Sequence, residues 1–183
     1  MLKFFGISKK DKVSVKDTAN LFSVALNKVV DDGYKEIQDF LNDNNNLEKS
    51  PRILDADIRW FRLIIFAGNL HIISTKFDDN QSLNLRNLVI DDISSFLDKD
   101  RDIAMDMFLQ YETYYNDLLK TYMDPVETMS IAIFDKFNIN DCQSDLLRRK
   151  NEPNPVLFNE LKKLLNHFIW NWDEFLEKCK VVS

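Results

Sequence analysis

The sequence predicts an all-α fold, a single-domain bundle of about six helices around a buried central helix. Three observations carry this reading. Residues 53–77 are apolar almost all the way round at about 100° per residue, the pattern of a helix enclosed by neighbours. The 183 residues include only 3 Gly and 4 Pro, too few for the turns of a β-sandwich or for a Gly-rich phosphate loop. Two helix-start signals, Asp124-Pro125 and Asn154-Pro155, place a capping side chain directly before a proline. No stretch reads as a β-strand.

The elements follow in order. Residues 1–13 read as a possible N-terminal arm, whose Leu2, Phe4 and Phe5 could cover a surface aromatic. Its charge order and short apolar run are wrong for a signal peptide. Ser14 is the expected cap of the first helix, with Asp17 three residues on. Val15, Ala19, Phe22, Leu26, Val29, Gly33, Ile37 and Phe40 then form its seam. Asp31-Asp32-Gly33 offers a break, but the seam favours one continuous helix to about residue 41. Residues 42–51 are a loop by composition.

The central helix comes next. Asp55, Arg59, Arg62, Asn69 and Lys76 share one stripe, expected to meet water. Asp57, His71 and Thr75 lie opposite and are expected inside the core, each with a partner. Four charges leave residues 63–73 as its clean apolar run, well short of the roughly 20 residues that span a membrane. Residues 83–97 and 102–122 read as amphipathic helices, the second with a seam of Ala104, Phe108, Tyr111, Tyr115, Leu118 and Tyr122. A helix at 125–137 and a short one at 143–149 follow. A last helix is predicted over 155–179, with Phe158, Leu161, Leu165, Phe168, Trp172, Phe175 and Cys179 as its seam.

Composition narrows function only by exclusion. Net charge is −6, so no global basic footprint for nucleic acid exists. Two cysteines, Cys142 and Cys179, form no disulfide framework and suit the reduced thiols of a cytoplasmic protein. The two histidines, His71 and His167, lack the Glu spacing of a di-iron bundle or a zinc protease. Asp98, Asp100, Asp102 and Asp106 imitate a calcium loop, but Ile103 replaces its glycine and Leu109 its final glutamate. No metal or cofactor is expected. Arg148-Arg149-Lys150 suits the cation preference of a helix C-terminus.

Two features remain. Tyr111, Tyr115 and Tyr122, with Glu112 nearby and His71 on the central helix, could line an aromatic pocket for an organic cation. Trp170 falls about 200° from both Phe168 and Trp172 on a helical wheel, among polar residues. An indole there points to an interface with another protein or a second copy. The expected function is thus protein binding by a non-enzymatic, cytoplasmic helical protein of regulatory or inhibitor type. A small-ligand binder and an enzyme of unrecognised type are the alternatives.

Overall fold

A computed structural model describes residues 10–97 and 100–182. It is an all-α bundle. The long helices are α1 (Val15–Asn42), α2 (Ile58–Lys76), α3 (Asp79–Phe96), α4 (Arg101–Tyr122) and α5 (Pro125–Lys136). The shorter α6 (Asp145–Lys150), α7 (Pro155–Leu165) and α8 (Trp172–Lys178) follow. Every helix except α6 contributes to one cluster of buried apolar residues.

Capping sets the helix starts. Ser14 Oγ accepts the Asp17 N–H at 3.0 Å, and Asp124 Oδ1 accepts that of Glu127 at 2.7 Å. Asp78 serves α3 and Asn154 serves α7 in the same way. α1 runs unbroken through Gly33, whose role is steric. A Cβ there would lie 2.6 Å from the Phe168 ring, so only glycine lets the two segments approach so closely. Val30 takes the seam position expected of Val29, which is exposed. α2 is the core element, with every residue from Phe61 to Leu70 buried. Its first turn, Asp55–Asp57, is a 3₁₀ helix.

The structure corrects three expectations. The polar faces of α2 are only partly as expected: Asp55, Arg59 and Lys76 are exposed, but Arg62 and Asn69 on the same stripe are not. Asn69 is fully buried and Arg62 only 8% exposed, whereas Thr75 is exposed and Asp57 and His71 are half-buried. Arg62 can be buried because its guanidinium is satisfied: it donates to Asn27 Oδ1 at 2.7 Å, Asp31 Oδ1 at 2.6 Å and the Phe96 carbonyl at 3.1 Å. The network ties α2 to α1 and to the end of α3.

The chain also contains two short strands. β1 (Asp11–Ser14) pairs in parallel with β2 (Cys179–Val182), Asp11 opposite Cys179. Their burial is partial and four residues are too few to show alternation, so neither registers as a strand in sequence. The expected arm over residues 1–13 thus overlaps β1, and its Leu2, Phe4 and Phe5 lie outside the described residues. The acidic 98–102 segment lies partly outside them.

Third, the predicted last helix is broken. α7 ends at Leu165, residues Asn166–Phe168 form a 3₁₀ turn, and Ile169 is extended before Asn171 caps α8. The cause is tertiary. Buried Asn69 donates to the Phe168 carbonyl at 2.8 Å and accepts the Trp170 N–H at 2.8 Å. One side chain satisfies the backbone groups that the break would otherwise orphan in the core.

Candidate interaction surface

The tyrosine row is built by α4, but its members turn to different partners. Tyr115 is buried and its hydroxyl donates to the Pro125 carbonyl at 2.9 Å. Tyr114 donates to Asp135 at 2.8 Å. The Tyr111 hydroxyl is buried with no hydrogen-bond partner among the described residues, and Tyr122 is half-buried. Burial raises the pKa of Tyr111, Tyr114 and Tyr115 well above the ordinary phenol value. Glu112 is bound by Arg86 through both of its oxygens. His71 lies half-buried on α2, where burial depresses its pKa and favours the neutral ring. The clefts along α1, the 166–175 segment and the strand pair have neither these tyrosines nor His71 in their walls. Among the described residues no group of three or more His, Cys, Asp or Glu is arranged to hold a metal.

Trp170 stands elsewhere. Because the helix is broken, the wheel argument for its direction does not apply. It sits on an extended loop, half-buried, edge-on to Phe22 at a centroid distance of 5.8 Å and to Trp172 at 6.1 Å. Its Nε1 is buried without an acceptor among the described residues. The loop that carries it separates two clefts. One, of about 340 Å³, has Leu21 of α1 on one wall and Ile169, Trp170 and Phe175 on the other. The second, of about 380 Å³, lies towards Ile72, Lys76 and Asp173. A third, of about 260 Å³, follows α1 further along, between Val29 and His167.

The rim charges here are largely paired. Lys76 bonds Asp173 at 2.6 Å and Lys178 bonds Glu174 at 2.6 Å. Among the described residues nothing covers the apolar groups: Leu21 is 49% and Val24 54% exposed, one turn apart on α1. Together with Ile169, Trp170 and Phe175 they make an apolar surface with a polar rim. Of these residues, sequence reading singles out only Trp170. Leu21 and Val24 do carry a signal, since both fall off the seam of α1 and near each other on a wheel.

No protein-family model matches the chain, and no curated protein or solved structure matches it.

Proposed function

We propose that this chain acts by binding a protein, as a non-enzymatic regulatory or inhibitor-type module, through the surface formed by Leu21, Val24, Ile169, Trp170 and Phe175. One observation supports the reading above all: two large aliphatic side chains about half exposed on α1, next to a cleft walled by aromatic residues. Contiguous exposed apolar surface rimmed by polar groups marks interaction sites, and Trp is prominent among residues that anchor them. The mixed, paired rim suits an interface that must also remain solvated when free.

Affinity capture tests this with exposed residues, so that folding is not at stake. Leu21→Lys and Val24→Lys should abolish retention of a partner that the unaltered chain retains. Leu109→Lys, on the exposed face of α4, should leave it intact. Equal retention by all of these variants would overturn the proposal.

A further inference from the structure

The exposed stripe of α1 has an internal symmetry. Asp17, Leu21, Val24 and Lys28 follow one another at steps of four, three and four, and all four are exposed. Successive residues advance by 100°, so Asp17 and Lys28 lie within about 20° of each other near the midline of the stripe. Leu21 and Val24 lean to opposite sides, about 60° apart. The positions are symmetric about the level of the peptide between Phe22 and Ser23. An antiparallel copy related by a two-fold axis at that level brings Leu21 beside the partner's Val24, and Asp17 opposite the partner's Lys28. Because the two aliphatic groups lean apart, each fits next to its counterpart rather than on top of it. The charges are complementary at both ends of the contact.

We propose that a second copy of this chain occupies the surface, with α1 packed antiparallel on α1. This rests on the protein-binding reading above and names the partner. An isologous two-fold contact is the commonest route to a dimer and requires a self-complementary patch, which this stripe is. Both charged groups are held only by weak surface contacts; Asp17 accepts from the Ser14 hydroxyl at 2.6 Å. Asp17 has no ion-pair partner among the described residues. Lys28 meets Asp32 at 2.8 Å, but both side chains are mostly exposed, so the pair is weak and easily shared. The stripe spans only about 16 Å of helix and is narrower than a stable interface needs. The wall of Ile169, Trp170 and Phe175 next to Leu21 supplies further apolar area on each copy.

Sedimentation over a concentration series tests the proposal with charge exchange. The unaltered chain should form a dimer that weakens as salt rises. Asp17→Lys and Lys28→Glu should each weaken it about tenfold or more, because every contact occurs twice. Mixing these two variants should restore a heterodimer, and the double variant should dimerise by itself. Thermal melts of each variant at low concentration check that the monomer stays folded. A chain that remains monomeric throughout overturns the second copy as partner. Retention of a different protein that Leu21→Lys abolishes would then leave the broader binding reading standing. A dimer indifferent to either charge reversal, or one that the folded double variant fails to re-form, also overturns it.

Discussion

Asn69 ties α2 to the 168–170 turn as Arg62 ties it to α1 and α3. Asn69 is fully buried, and its amide makes three contacts: to the Ile65 carbonyl at 2.9 Å, the Phe168 carbonyl and the Trp170 N–H. An amide carries its donors and its acceptor on separate atoms, so one side chain can meet two carbonyls and an N–H at once. Asn69→Ala leaves a carbonyl and an N–H of the 168–170 turn without partners in a dry site. Each orphaned group costs about 1–3 kcal/mol, so the variant should lose about 3 kcal/mol of stability in denaturant titration. Asn69→Asp should be no better, because it removes the donor and buries a charge. Little change in either midpoint would mean that the turn is held by packing alone. Phe168 supplies that packing: it contacts Gly33 on one side and meets Phe61 edge-on at 5.1 Å on the other.

Within α1 the distinction between tertiary and surface electrostatics falls on adjacent residues. Asp31 accepts from Arg62, which is almost buried, while Asp32 accepts from exposed Lys28. Asp31→Asn should therefore cost about 2 kcal/mol, since a buried guanidinium loses its counter-charge. Asp32→Asn should cost less than about 0.5 kcal/mol, the range of exposed pairs on a helix. Equal costs for the two would remove Arg62 from any special role. The same contrast explains what the sequence makes legible. Helices α1, α5 and the start of α7 are readable because their caps are local: Ser14, Asp124 and Asn154 each bond a backbone N–H two or three residues on. α3 instead starts at Asp79, four residues before the expected 83, because Asp78 caps it inside a stretch that composition marks as a break. The regular 3–4 seam likewise reports burial along one helix. It continues past Leu165 and suggests a helix to residue 179. The break is instead dictated by Asn69, about a hundred residues away, and the only local trace is the pair Asn166 and Asn171 at its edges. The polar stripe of α2 misleads for the same reason. A wheel shows that Arg62 and Asn69 share a face with Lys76, but not that Asn27, Asp31 and the 168–170 turn come to meet them. Trp170 draws attention through an anomaly that belongs to a helix the chain does not form, yet it does border the apolar surface. Leu21 and Val24, which carry the interaction proposal, are visible as apolar groups off the α1 seam; their neighbours across the cleft are not.

At the scale of the whole molecule, the two ends of the described chain are joined by the β1–β2 pair. The four-residue parallel ladder brings Asp11 to Cys179 and Ser14 to Val182, and Lys10 donates to the Leu176 carbonyl beyond it. Of its apolar residues, Val181 alone is buried, at 7% exposure. A two-stranded sheet of this length has little stability by itself, and parallel pairing is somewhat weaker per residue than antiparallel. The ladder is therefore a local closure of the bundle rather than a part of its core. Removing residues 179–183 takes away one strand and the contact of Val181, a loss of about 1–2 kcal/mol at the usual value for burying an aliphatic side chain. Ser14 remains to cap α1, since its bond to the Asp17 N–H lies within the helix end and not in the ladder. Hydrogen exchange should then show the β1 amides that donate to β2 losing protection while the amides of α2 and α5 keep theirs. General loss of protection in the truncated chain would make the strand pair part of the cooperative core. Unchanged protection at those β1 amides would show that the pairing contributes nothing to the order of the first strand.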